Sequence, residues 1–208
     1  MSLTLYVGNK RRSSWSLRPY VALAQSGLAF ETVMISLDLP TTKTDIKKVN
    51  PAGRLPVLHH DGLAVWDSLA ICEYVNELAP AAQLWPADRV QRAKARAISA
   101  EMHSGFAALR QNMSMDLVVD HRGEGHTREA LADAARVMDI WREALAASGG
   151  PFLFGKFTIA DAMFAPVTTR FTTYGVELDA TCRGYVDAIA ALPAMQAWRR
   201  DAQAEGDR

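Results

Sequence analysis

Four short segments carry side chains that could bind or activate a charged ligand. Ser13-Ser14-Trp15-Ser16 follows an apolar run and opens a helical one, so its hydroxyls sit where a helix begins. A helix start has free backbone amides and a partial positive charge, which suits an anion. The same serines also suit plain helix capping. In Asn50-Pro51-Ala52-Gly53-Arg54-Leu55-Pro56-Val57-Leu58, a proline stands where a strand should begin. Such a proline, cis in some folds, can turn a neighbouring amide and carbonyl outward, where an extended peptide could pair with them. Trp66-Asp67-Ser68 places an acid and a hydroxyl at another helix start. Asp67 could take an ammonium, and Ser68 with nearby amides a carboxylate; capping alone would also explain the pair. Thr158-Ile159-Ala160-Asp161 reads as a capping box with Asp in the Glu/Gln place, a structural device.

Alternation and helical spacing give the elements that hold these segments. Leu3 to Gly8 reads as a buried strand, Ser16 to Ser26 as a helix stopped by Gly27, and Phe30 to Leu37 as a second strand. Thr41 to Asn50 is polar, with three lysines, and reads as an exposed connection. Leu55 to His59 and Ala64 to Trp66 read as strands joined at Asp61-Gly62, a hairpin signal. A helix capped by Asp67 or Ser68 then runs through Ile71, Val75 and Leu78. A helix between the first two strands implies a parallel crossover, so the sheet should be mixed.

After Ala79-Pro80 only helices are expected. One apolar face runs from Val90 through Ile98, Met102, Phe106 and Leu109 to Met113, and another from Leu131 to Leu145. His121 to His126 separates them, and Ser148-Gly149-Gly150-Pro151 ends the second. Thr158 to Tyr174 reads as a buried helix kinked at Pro166. The expected division is an α/β domain over residues 1–80, a linker over 81–87 and an all-helical domain over 88–208.

Composition narrows the function. The 23 basic residues balance the 23 acidic ones, so nothing points to nucleic acid or an anionic membrane. No segment has the roughly 20 apolar residues needed to span a bilayer. Cys72 and Cys182 have no metal-ligand spacing, and no metal is expected. They fit a reducing cytoplasm as buried apolar side chains.

Together, in this order and at these separations, the four segments resemble the glutathione S-transferase family. The resemblance covers almost the whole chain and implies a thioredoxin-like amino-terminal domain followed by an all-helical one. Ser-Ser-Trp-Ser-Leu-Arg is most similar to the zeta-type, maleylacetoacetate isomerase-like pattern, in which two serines precede a Cys-Ser. The resemblance implies that Ser13 hydrogen-bonds the glutathione sulfur, with Ser14 as its close second. It implies that Val57, after the cis-proline match at Pro56, pairs with the cysteinyl backbone. Arg54 matches a contact to the glycine end, and Asp67 and Ser68 match the γ-glutamyl binders. It also implies a cytoplasmic homodimer with glutathione as co-substrate and a small electrophile as partner.

Trp15 stands where the zeta-type cysteine would be, which tells against isomerase chemistry. With His103, Phe106, Arg110 and Met113 it is a candidate for the second-substrate pocket. Core packing would equally explain Phe106 and Met113. The loop arginines Arg11 and Arg12 read as solvated and Arg18 as half of a helix salt bridge, unless their charge stabilises the thiolate or binds an acidic substrate. The expected reaction is attack of a glutathione thiolate on an electrophile. Isomerase, peroxidase and dehalogenase chemistry, or a non-catalytic binding module, stand as alternatives on the same fold.

Overall fold

The computed structural model describes residues 2–205. Strands β1 (Leu3–Val7), β2 (Glu31–Met34), β3 (Val57–His60) and β4 (Leu63–Trp66) form one sheet in the order β2-β1-β3-β4. β1 runs parallel to β2 and antiparallel to β3, and β4 returns antiparallel to β3. The mixed sheet follows from the connections. Helix α1 (Ser14–Ser26) crosses between β1 and β2, while Asp61-Gly62 turns β3 into β4 with positive φ at both residues. Leu3, Leu5 and Val7 alternate inward on β1 and join Leu17, Val21 and Leu23 of α1 in the core. Ile71, Cys72 and Val75 of α3 (Ser68–Leu78) complete that layer.

Two expectations are corrected here. Thr42–Val49 is a helix, α2, and not an irregular connection. It buries only Ile46, so it lacks the apolar period that marks a packed helix, and it is steadied by a Lys48–Asp45 pair one turn apart. The long helix expected from Val90 to Met113 is two, α4 (Arg89–Ser104) and α5 (Ala107–Asn112). The break falls at Gly105-Phe106, where Phe106 adopts φ 60° and a side chain on Gly105 would meet the Glu101 carbonyl at 2.8 Å.

The chain passes from the sheet domain through a short 3-10 turn at Pro80–Ala82 into these helices. α6 (Arg128–Ser148), α7 (Ile159–Tyr174), α8 (Ala180–Ala190) and α9 (Pro193–Ala204) follow. α7 runs through Pro166 as one helix, and nearly every residue in it is buried. It starts in the expected capping box, with Asp161 accepting from the Thr158 amide at 2.7 Å. α7 packs against α1, α4 and α8, so this helix joins the two halves of the molecule. The architecture is therefore a thioredoxin-like sheet domain followed by a helical one.

Candidate active site

β1 ends at Val7, and Gly8 with the turn Asn9–Arg12 delivers Ser13 as the residue before α1. The Ser13 amide donates to the Asn9 carbonyl at 2.8 Å, and its own carbonyl accepts from Ser16 and Leu17 to begin the helix. Gly8 leaves room for this approach. A Cβ there would lie 3.0 Å from Ser13 Oγ and 2.7 Å from Leu37. The Ser13 hydroxyl donates to Ser16 Oγ at 2.8 Å, and Ser16 Oγ also accepts the Gly8 amide at 3.1 Å. Ser14 Oγ instead accepts from Arg170 Nη2 of α7 at 3.1 Å. Both serines are buried.

The second helix start is built differently. Asp67 takes φ 75°, unusual for a residue with a Cβ, and its Oδ1 accepts the amides of Leu69 and Ala70. Asp67, not Ser68, is thus the cap. That leaves Ser68 Oγ buried and without a partner. A buried hydroxyl with no partner is costly unless a ligand completes it.

Trp15 and His103 bridge the two helix starts. The Trp15 ring meets His103 edge-on at 5.3 Å, and His103 Nε2 lies 3.1 Å from Asp67 Oδ2. The guanidinium carbons of Arg18 and Arg110 sit 4.4 and 4.7 Å from the Trp15 ring centre. Burial, reinforced by Arg18 and Arg110, lowers the His103 pKa against the opposing pull of Asp67. The side chain is therefore a neutral hydrogen-bonding group at neutral pH. Arg110 also folds back over the end of α4, donating to the carbonyls of Met102, His103 and Gly105. Phe106 and Met113, the other two pocket candidates, lie in the helical core.

The third segment has a cis peptide bond at Leu55–Pro56. Val57 pairs with Tyr6 on one side and Trp66 on the other. Arg54 is exposed, and its carbonyl accepts from Asn50 Nδ2.

Two arginine readings are corrected. Arg11 does not wave in solvent; it grips Asp116 through Nε and Nη2, at 2.9 Å for the shorter contact to Oδ2. Arg18 is fully buried, and among the described residues it forms no salt bridge and none of its three nitrogens has an acceptor. Burial, then repulsion from Arg110 and Arg170, lowers its pKa. Arg170, also buried, is pushed down to about 10 by burial and then by Arg110. Reading the sequence did not single out Arg170. The available signal was a single basic residue in a helix whose one other charge is Asp161.

No group of metal-ligating side chains occurs among the described residues. Both cysteines are buried and unpaired; burial raises the pKa of each, that of Cys182 to about 11. No helix among the described residues is long and apolar enough to cross a membrane.

Two family models match this chain: the glutathione S-transferase N-terminal domain over residues 12–78 and the C-terminal domain over 124–201. The chain belongs to the glutathione S-transferase family. Relatives include the maleylacetoacetate isomerase of Rattus norvegicus, 30% identical over 89% of this chain and 87% of the relative. The probable maleylacetoacetate isomerase of Caenorhabditis elegans is 29% identical over 92% and 91%. A Burkholderia glutathione transferase homolog, crystallised with bound glutathione, superposes with a TM-score of 0.75 over 98% of this chain and 99% of that one, at 26% identity. These glutathione transferase relatives match both halves, the domain with the serine segment and the domain that supplies Arg110 and Arg170.

Proposed function

We propose that this chain is a glutathione transferase that presents glutathione as a thiolate to a small electrophile. The observation that carries this reading is the junction of two helix starts. The serine pair begins α1, the orphaned Ser68 hydroxyl begins α3, and Trp15 and His103 join them. In this reading the γ-glutamyl carboxylate completes Ser68 and the α3 amides, while Asp67 takes the ammonium. Val57 is flanked by β1 and β4 on both sides, so the cysteinyl unit meets the backbone just before the strand, at the cis bond Leu55–Pro56, and not Val57 as expected. Arg54 meets the glycine carboxylate, and the sulfur rests at the start of α1, beside Ser13 and Ser14. Trp15, His103 and Arg110 then border the second substrate.

The energetics are modest. A free thiol has a pKa of ~8.5, and moving it near neutrality takes about 2 kcal/mol. A hydrogen bond to a charged acceptor contributes ~1.5–3 kcal/mol, so one serine hydroxyl and a helix start suffice without a general base. The thiolate then attacks the electrophilic carbon, a carbon–sulfur bond forms, and a leaving group departs with the electron pair. The names of the relatives favour a second reading, glutathione-dependent isomerisation, in which the thiolate adds and leaves again.

The deciding experiment offers glutathione with an aryl halide, an organic hydroperoxide and a cis-configured conjugated keto acid in parallel. Turnover of the aryl halide, with loss in a Ser13→Ala/Ser14→Ala double variant, is the expected result. Turnover of the keto acid alone moves the assignment to isomerase, and of the hydroperoxide alone to peroxidase. No thermal shift with millimolar glutathione would reduce the chain to a binding module of another kind. Action as a cytoplasmic homodimer belongs to the same proposal. Leu63 and Trp66 of β4 and Val90 of α4 are exposed apolar side chains available to a second copy, and sedimentation measures the assembly.

A further inference from the structure

The two serines that begin α1 differ in the hydrogen each has left to give. Ser13 spends its hydroxyl hydrogen on Ser16 Oγ, which is itself anchored to the Gly8 amide. Ser14 Oγ receives a hydrogen from Arg170, so one lone pair is occupied and its own hydrogen stays uncommitted.

Arg170 comes from α7 and is 3% exposed. Its Nε and Nη1 have no acceptor, and neither do the three nitrogens of Arg18 nor Nη1 of Arg110. Besides burial, Arg110 and Arg170 depress the proton affinity of Arg18, and Arg110 depresses that of Arg170. No carboxylate hydrogen-bonds to any of them among the described residues. Asp67 is engaged with His103 and the α3 amides, and Asp133 accepts from the Leu109 amide. Asp67 and Asp133 offset Arg18 and Arg110 only at a distance, and like charges with no carboxylate hydrogen-bonded to them favour an anion at their edge. In the glutathione reading both carboxylates of the tripeptide already have places, at Ser68 and Arg54. The negative charge left over is the sulfur.

We propose that Ser14 is the hydroxyl that donates to the glutathione sulfur, and that Arg170 is its positioning residue, holding Ser14 Oγ from behind and setting a buried positive charge behind the thiolate. Ser13 then serves as the anchor that ties α1 to the end of β1 through Ser16 and Gly8. The inference rests on glutathione being the ligand. In this proposal the guanidiniums act through Ser14 and through their field, and not by contact with the tripeptide.

The test is a pH titration of the thiolate absorbance of bound glutathione in the wild type, Ser13→Ala, Ser14→Ala, Arg170→Gln and Arg170→Lys. Arg18, Arg110, His103 and Tyr174 are the other titratable groups around the pair, and they are common to all five proteins. Ser14→Ala and Arg170→Gln are each expected to hold roughly ten-fold less thiolate at neutral pH, with kcat lowered and the KM for glutathione little changed. Arg170→Lys should restore most of the thiolate. The Ser14→Ala/Arg170→Gln double variant should fall no further than either single one, because both remove the same interaction. Ser13→Ala should lose less than about three-fold and show its cost in melting temperature.

The proposal is overturned if Ser13→Ala alone abolishes the thiolate, or if a folded Arg170→Gln keeps it in full. Should Arg170→Gln fail to fold, the comparison of Ser14→Ala with Arg170→Lys decides by the same criterion. A wild type that binds no glutathione overturns the functional reading itself, and that result is visible before any variant is made.

Discussion

Ser68 carries a hydroxyl that the free protein leaves unused. It is buried and unpartnered at the first residue of α3, while its neighbour Asp67 does the capping. Removing it should therefore affect stability and binding in opposite directions. Ser68→Ala deletes an unsatisfied buried polar atom, so the melting temperature of the free protein should hold or rise. Glutathione affinity should fall by about ten-fold, the loss expected for one hydrogen bond to a carboxylate. Thermal unfolding and calorimetry on the same preparation read both effects, and a parallel fall in stability would assign Ser68 to the scaffold. At this scale the sequence was a good guide wherever a residue acts with its chain neighbours. Ser13, Asp67, Ser68 and the proline before Val57 all stand at the local positions their motifs imply. It was a poor guide where the partner lies far off. Neither the Arg170–Ser14 contact nor the Arg11–Asp116 pair has any trace in local spacing.

Most helices were legible in proportion to the apolar surface they bury. α1, α3, α6 and α7 have clear faces and were found; α2 buries one residue and was not. The split between α4 and α5 escaped because the apolar face continues across it, through Met102, Phe106 and Leu109, all in the core. α8 and α9 also carry buried residues at helical spacing, Cys182, Tyr185, Val186 and Ile189 on one and Met195, Trp198 and Ala202 on the other, but neither was singled out as a helix within the expected all-helical half. The capping box of α7 was legible, and it has more to hold than a helix end. Asp161 accepts from the amides of Leu153 and Thr158, the Thr158 hydroxyl and the Tyr185 hydroxyl. It thus gathers the preceding loop and α8 onto the start of α7. Asp161→Ala strands several buried donors at once, for an expected loss of about 3 kcal/mol. In a chain of this length that is roughly 6–12 °C in melting temperature, measurable by calorimetry. A loss confined to fraying of one turn would show that the network is not shared.

Across the whole molecule, the turn that presents Ser13 is held by residues from the far end of the chain. Trp198 Nε1 of α9 donates to the Lys10 carbonyl at 2.7 Å, and Glu205 accepts the amides of Lys10 and Arg11. Lys10 also pairs with Asp201. On the other side Arg11 grips Asp116, in the segment between α5 and α6, and Asp116 accepts the amides of Val118 and Val119. The turn before α1 in the sheet domain is therefore held from two sides by the helical domain. Burial opposes ionisation of Asp116, but the Arg11 guanidinium and the two amides outweigh it and hold the carboxyl below its ordinary range. A carboxyl whose native pKa is depressed stabilises the fold fully above its unfolded value of about 3.9, and this contribution is lost as pH falls through the native value. Asp116→Ala should accordingly melt lower than the wild type at neutral pH, by an amount matching about 3 kcal/mol for a largely buried pair. The two melting curves should converge in acid, below the ordinary carboxylate range, where the wild type too has lost the charge. A gap between them that persisted unchanged into that range would mean that Asp116 acts by packing and not by its charge.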